Sequence, residues 1–309
     1  MACCYSKSGN CKTRAIVVAV VGIAAIGAAY YYYKYRVVKV KDIRSKNGLL
    51  KSKEDEPKKV KLVKKEKLTH DVRLFRWQLG ENETLGLLPG EHVKFSSLFD
   101  SKSVSRFYSP VSHPHQKGYF EIIVKIYGPT EENPNAGKFS SFLDSLEPNS
   151  EVSINGPFGH IGYLTKNNFL IKKKIKNYKT IAMIAGGSGL TPMLQLIRHI
   201  MNENESTIKL NLIYSNKTYD DVIVYEELKN YVSKNSKFNL TLVFTRQIQT
   251  KKSQTSYNEY YGRIDEGLLA RVFPFPTDDV LVLICGPSTM NSAAKSICTS
   301  LGYSNINVF

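Results

Sequence analysis

An antiparallel β domain followed by a parallel α/β domain, behind an N-terminal membrane span, is the architecture that this 309-residue sequence predicts. Three observations predict it. Ala15 to Tyr33 runs 19 residues without a charge or a proline, which at about 1.5 Å per residue approaches the ~30 Å bilayer core. From about Val60, short alternating apolar runs (VRLFRWQL, LPGEHVKF, YFEIIVKIYG, EVSINGPFG) are parted by Gly and Pro, the mark of antiparallel strands. After about Tyr178, buried-strand runs (TIAMIAGG, KLNLIYSN, FNLTLVFTR, DVLVLICGP) alternate with helical periods. The expected organisation is a short segment over 1–14, the span over 15–33, a basic tether over 34–59, the β domain over 60–165, a linker over 166–179 and the α/β domain over 180–309.

The charge is unevenly placed. Of the net +16, residues 1–67 carry +12, from 17 Lys/Arg against 5 Asp/Glu, so the folded body is only mildly basic. A nucleic-acid binder usually carries its basic stripe on the folded module, so the overall charge is weak evidence for that class and no nucleic-acid partner is expected. A cleaved signal peptide and a buried core helix are the rivals to the membrane span. The apolar run exceeds the usual signal h-region, and its four closing tyrosines, Tyr30 to Tyr33, suit a membrane interface. Lys34, Arg36, Lys39, Lys41, Arg44 and Lys46 follow the span closely, so the positive-inside rule puts the body in the cytosol. Five cysteines without disulfide spacing agree with a reducing side. An anchor of this kind suits the endoplasmic reticulum or the mitochondrial outer membrane.

Two glycine turns end apolar strands and open helices: Gly186-Gly187-Ser188-Gly189, and Cys285-Gly286-Pro287 leading to Met290. Such turns expose backbone N–H groups at positive helix ends, where a phosphate or a flat ring can approach, and two at strand carboxyl ends imply one crevice. In the β domain, Arg106, Phe107, Tyr108 and Ser109 interleave a cation, rings and a hydroxyl. On a strand, Arg106 and Tyr108 share a face, so a guanidinium can clamp a phosphate beside a stacking ring. Gly137-Lys138-Phe139-Ser140 opens an amphipathic helix with amides free for the same phosphates. Singly, each of these two β-domain motifs reads equally well as a surface strand or a helix cap. Cys285 lacks a His/Asp constellation and reads as a small buried thiol rather than a nucleophile. No metal site is expected.

RFYSPVS resembles the RxYTxxS flavin motif of ferredoxin-reductase-like flavoenzymes. AGKFSSFLDSL, INGPFG, MIAGGSGLTPMLQLIR, LVLICGP and the terminal NVF together resemble the NADH-cytochrome b5 reductase family, in family order from about Leu62 to Phe309. The resemblance implies a six-stranded FAD-binding β-barrel, a Rossmann-like NAD(P)H-binding domain, and FAD and NADH (or NADPH) as cofactors. It implies Arg106 on the FAD diphosphate, Tyr108 with its neighbour Phe107 against the flavin, and Ser109 in place of the usual Thr beside the reactive ring nitrogen. Ile123 and Lys125 fall on the flavin-edge strand, Lys125 being suited to reach the dinucleotide, and Lys138, Phe139 and Ser140 match the phosphate-binding helix start. Gly186, Gly187, Ser188, Gly189 and Thr191 would line the groove between nicotinamide and flavin, with Cys285, Gly286, Pro287 and Met290 over the nicotinamide. Ser109, Thr191 and Cys285 are thus the catalytic candidates.

Two departures stand out. Gly128 replaces a frequent aromatic at the adenine end, and Thr245-Arg246 replaces the Asp-Arg common in NADH-preferring members. An Asp repels a ribose 2′-phosphate; Thr beside Arg leaves a cation for it. The polar segment from Gln247 to Tyr261 abuts this position. The implied activity is hydride transfer from NAD(P)H to FAD, then single electrons to cytochrome b5 or a similar acidic haem protein, steered by Lys125 and Lys138. A quinone, a ferric chelate or another acceptor on the same flavin core, and an inactive membrane-tethered scaffold, are the alternatives.

Overall fold

The computed structural model describes residues 47–53, 55–129, 131, 136–203, 206–248 and 256–309, with five helical positions between 22 and 30. The chain divides into two units, Met1–Arg44 and Ser45–Phe309, and both lobes of the body belong to the second. Of the expected span over 15–33, all but those five positions lie outside the described residues. Among those residues no helix is long and apolar enough to cross a membrane.

The first lobe is built from β1 (Lys58–Lys67), β2 (Val72–Gln78), β3 (His92–Phe99), β4 (Lys102–Tyr108), β5 (Tyr119–Lys125), helix α1 (Lys138–Ser145) and β6 (Glu151–Phe158). The strands form a six-stranded antiparallel sheet in the order β4-β3-β6-β1-β2-β5. A bridge between Pro110 and Ile122 brings its two ends together, which closes the sheet into the expected barrel. Alternation sends Leu62, Phe75, Trp77, Val93, Phe95, Phe120 and Ile154 inward. Burial of such aromatic and branched side chains contributes roughly 1.5–3 kcal/mol each against exposure.

The tether expectation needs correction at its end. Leu50 is 4% exposed and packs into the barrel core. The amides of Leu49 and Leu50 donate to Thr84 and Leu85, and β1 starts at Lys58. Lysine-rich sequence hid this because only Val60 and Leu62 of β1 turn inward. Residues 166–179, expected as a linker, are also structured. β7 (Ile161–Thr165), β8 (Asn168–Ile171) and β9 (Lys174–Asn177) make a small antiparallel sheet.

The second lobe alternates β10 (Thr180–Gly186), α2 (Leu190–Asn202), β11 (Lys209–Asn216), α3 (Tyr225–Lys234), β12 (Phe238–Phe244), β13 (Asn258–Tyr261), α4 (Glu266–Val272), β14 (Val280–Cys285), α5 (Ser288–Ser300) and β15 (Ile306–Val308). All strand pairs are parallel, in the order β13-β12-β11-β10-β14-β15. Strands β10, β11, β12 and β14 are near-continuous apolar runs because helices cover both faces. The strand order reverses between β10 and β14, and a sheet of this kind binds its ligand outside the carboxyl ends at that switch point.

Candidate functional site

A groove of about 1250 Å³ opens at the switch point and extends onto the barrel. On the α/β side its floor is the pair of glycine turns. A side-chain carbon on Gly189 would lie 2.1 Å from the Cys285 carbonyl oxygen, and one on Gly286 would meet Met290 at 2.4 Å. These glycines exist so that the two strand ends can close together. Gly187 differs: its φ of 52° is left-handed, and nothing lies within 4 Å of where a side chain would project. The turn therefore has open space above its backbone, as close approach of a ligand requires. Gly186, Ser188, Thr191, Pro287 and Met290 line the same floor. Thr191 Oγ1 donates to the Ser188 carbonyl at 3.2 Å, which fixes the turn at the start of α2.

On the barrel side, Arg106, Phe107, Tyr108 and Ser109 line the groove, together with Ile123 and Lys125 of β5. The guanidinium of Arg106 is exposed and donates only to the adjacent Ser105 carbonyl, at 2.7 Å, among the described residues. The Tyr108 ring packs edge-on to Phe95 at 5.4 Å and tilts against Phe139 at 6.3 Å, and burial raises its phenol above the ordinary value. Gly137, with φ 72°, begins α1; a side chain there would collide with the Tyr127 carbonyl oxygen at 1.8 Å. Ser140 Oγ accepts from the Tyr127 amide at 3.0 Å and donates to the Gly137 carbonyl at 3.0 Å. These contacts lock the start of α1, with Phe139 and Ser140 in the lining, against the exit of β5.

Four residues bridge or deepen the groove that sequence reasoning passed over. The Tyr127 hydroxyl lies 3.3 Å from Ser188 Oγ and so ties the barrel to the glycine turn. His92 lines the barrel rim; burial first, and His160 second, lower its pKa. Asn216, at the end of β11, turns a buried side chain into the groove, and neither amide atom meets hydrogen-bond geometry with a neighbour. A polar pair left open at this depth fits a site completed by a ligand. Asp221 carries the fourth role. Its carboxylate accepts from the Thr218 amide and hydroxyl at 3.0 and 2.8 Å and lies 3.7 Å from Lys125. Burial opposes its charge, but these bonds and the Lys125 cation hold its pKa below the ordinary carboxylate value.

Two expected site residues lie elsewhere and a third is already engaged. Lys138 is not in the lining; it pairs with Asp100 at 3.2 Å and sits over the Phe99 ring. Arg246 is also outside the lining, whereas Thr245 is within it; the cations at that end are Lys217 and Arg263. Lys125 lines the groove but its ammonium is held by Asp71 at 2.8 Å, and this carboxylate, against the opposing effect of burial, raises its pKa. The nearby trio His70, Asp71 and Asp221 has the spacing of metal ligands, yet Lys125 fills the charge role between its carboxylates. Cys285 is half-buried beside the turn, and desolvation pushes its thiol up to about 11, so it stays a thiol near neutrality.

An open glycine turn at a switch point, an exposed arginine on the facing strand and a helix start between them fit a dinucleotide and a flavin. The comparisons agree with that chemistry. Residues 59–163 match an oxidoreductase FAD-binding domain and residues 183–296 an oxidoreductase NAD-binding domain. The chain is 35% identical over 234 residues to nitrate reductase [NADH] of Cucurbita maxima, covering 74% of this chain and 25% of that protein. It is 37% identical over 252 residues to nitrate reductase [NAD(P)H] of Betula pendula, covering 80% and 27%. The chain thus spans about a quarter of the length of these relatives. The crystal structure of the cytochrome b5 reductase domain of Ulva prolifera nitrate reductase superposes with a TM-score of 0.77 at 29% identity, covering 85% of this chain and all of that one. The chain belongs to the ferredoxin-reductase-like oxidoreductases that use FAD and NAD(P)H, with the cytochrome b5 reductase domain of nitrate reductase as a structural neighbour.

Proposed function

We propose that the protein is a membrane-held reductase that draws on NAD(P)H and delivers single electrons to an acidic haem protein of the cytochrome b5 type. The observation that carries this reading is the single groove shared by the RFYS strand and both glycine turns. FAD held there would supply the hydride acceptance and one-electron release that this reading requires. The chain's own residues bind and align. Arg106 and the amides at the start of α1 would hold the diphosphate, Tyr108 would support the ring, and Ser109 would offer its hydroxyl to the ring edge. Gly187 would let the nicotinamide lie against the turn, Thr191 and Met290 would bound it, and the neutral Cys285 thiol would exclude water behind it.

Nucleotide preference follows from charge. Lys217 and Arg263 line the groove near Thr245 and make no ion pair among the described residues, while the lining's one acidic side chain, Asp221, is engaged by Thr218 and Lys125. A ribose 2′-phosphate at that end would thus meet cations and no unpaired acidic side chain, which favours use of NADPH as well as NADH. The uncharged run over 15–33 with its basic flank supports an anchor with the body in the cytosol, at the endoplasmic reticulum or the mitochondrial outer membrane. Resistance of the full chain to alkaline carbonate extraction tests the anchor. Stopped-flow reduction of the purified yellow protein by NADH and by NADPH, with cytochrome b5 as acceptor, tests the rest. A protein that stays colourless with excess FAD ends this reading.

A further inference from the structure

Three histidines meet where the two lobes of the body pack, and none of them lines the groove. His113-Pro114-His115 lies on the loop between β4 and β5 of the barrel, and His199 lies in the last turn of α2. The His113 ring is 5.0 Å from that of His199 and 5.4 Å from that of His115. With Zn–N bonds of about 2.0–2.1 Å and tetrahedral angles, two imidazoles on one ion have ring centres about 5 Å apart. The loop is fixed at its base. The Val111 amide donates to the Glu121 carbonyl at 2.8 Å, the Glu121 amide donates to Ser112 Oγ at 3.1 Å, and Arg198 of α2 donates to the Val111 carbonyl at 2.8 Å. The two elements that carry the rings are thus held together by bonds that do not involve the rings.

The imidazole nitrogens have bonding capacity to spare. Nδ1 of His199 is buried without a hydrogen-bond partner, against the rule for buried polar atoms. Nδ1 of His113 accepts from the His115 amide at 3.2 Å, a single long bond that a metal can replace. The donor atoms do not stand at ligand spacing, but the His113 and His115 rings are exposed and can turn toward His199. Negative charge is close by. Glu203, one turn beyond His199, accepts from the hydroxyls of Tyr163 and Thr165 and from the Lys166 amide at 3.3 Å. These donors are neutral, so they fix the carboxylate without cancelling it. The trio His70, Asp71 and Asp221 differs, because the Lys125 ammonium already stands between its carboxylates. We propose that His113, His115 and His199 bind one zinc ion, with water as the fourth ligand and Glu203 as the fixed charge beside it, and that the ion pins the barrel to the α/β lobe. Three imidazoles in a tetrahedral set suit zinc, whereas magnesium and calcium take oxygen ligands. The site stands apart from the groove and does not depend on the function proposed above.

The test uses the full chain, stripped of metals with EDTA and with its thiols alkylated by iodoacetamide so that no cysteine can serve as a ligand. Calorimetric titration with zinc chloride is expected to give one ion per chain. At about a hundredfold excess over the dissociation constant, zinc should raise the melting temperature by several degrees. His199→Phe and the pair His113→Ala/His115→Ala should each weaken zinc binding by about a hundredfold or more, and Glu203→Gln by about tenfold. His70→Ala, at the other trio, should leave it unchanged. An unaltered melting temperature in the absence of metal certifies the fold of each variant, and only folded variants are compared. Zinc should also slow amide hydrogen exchange over residues 111–118 and at the end of α2 together. No saturable zinc binding to the alkylated chain, an affinity that survives both histidine variants, or an equal loss in His70→Ala overturns the site. Exchange unchanged in both segments at zinc saturation overturns the pinning of the lobes.

Discussion

Arg106 and Lys125 are two cations of one groove with opposite freedom. The Lys125 ammonium has two carboxylates within 4 Å, whereas the guanidinium of Arg106 has a single neutral carbonyl and otherwise faces open groove. A cation without a carboxylate is the one that a diphosphate can recruit, and charge-assisted bonds of this kind are worth about 1.5–3 kcal/mol. Replacing Arg106 by Ala is expected to weaken FAD binding by roughly tenfold to a hundredfold. The unfolding free energy of the apoprotein should move by less than about 0.5 kcal/mol, because no buried partner is left behind. Flavin fluorescence titration and denaturant unfolding, run side by side, measure the two; an equal loss in both would assign Arg106 a structural role. At this scale sequence shows which residue types are present but not which charges cancel. Asp71 and Asp221 reach Lys125 from different lobes, and no local pattern announces that meeting.

The elements that sequence revealed were those whose ends carry backbone chemistry. An apolar run stopped by Gly186-Gly187 or by Gly286-Pro287 reads as a strand feeding a helix, and β10, α2, β14 and α5 lie where those signals put them. The small sheet β7–β9 was hidden because its turns use lysine and asparagine in place of glycine. Lys166, Asn167, Lys172 and Lys173 all take left-handed φ, between 47° and 69°, so the usual glycine signal of a tight hairpin is missing. The helix α2 does more than present a phosphate-binding end. Its Gln195 accepts from the Gly90 amide at 2.8 Å, and its Arg198 donates to the Val111 carbonyl at 2.8 Å while pairing doubly with Glu227 at 2.7 Å. One helix therefore staples the loop that follows the flavin strand to α3. Arg198→Met keeps the stem packing and removes the fork, stranding the Glu227 carboxylate and the Val111 carbonyl. A loss of about 1–3 kcal/mol in unfolding free energy is expected, and urea denaturation of the holoprotein measures it; a change within experimental scatter would mean that the staple contributes nothing net.

The two lobes of the body meet along a second seam, away from the groove, where three imidazoles gather. His113, on the loop after β4, lies with its ring 5.0 Å from His199 of α2 and 5.4 Å from His115, and Tyr163 of β7 closes the cluster at 5.5 Å from His199. Nδ1 of His199 is buried without a hydrogen-bond partner, so the ring gains nothing from a proton there. Burial first, and the neighbouring His113 second, bring its pKa down to about 4, against the opposing pull of Glu203, and His113 is lowered in the same way. A histidine depressed in the folded state binds its proton more readily once unfolded. The seam is therefore at full strength above the unfolded value near 6.5, and weakens as pH falls from there toward 4. For His199 alone the loss is on the order of 2–3 kcal/mol, or several degrees in melting temperature for a body of this size. Carboxylates held low by their partners, such as Asp221 and Glu203, fail only further down, so the interval from about 6.5 to 4.5 isolates the histidines. Replacing His199 by Phe fills the same space with a ring that cannot charge, and should flatten the melting curve against pH across that interval while leaving stability at pH 8 within about 1.5 kcal/mol. An unaltered slope in the variant would show that the seam does not titrate on unfolding and that another group sets the acid limit of the fold.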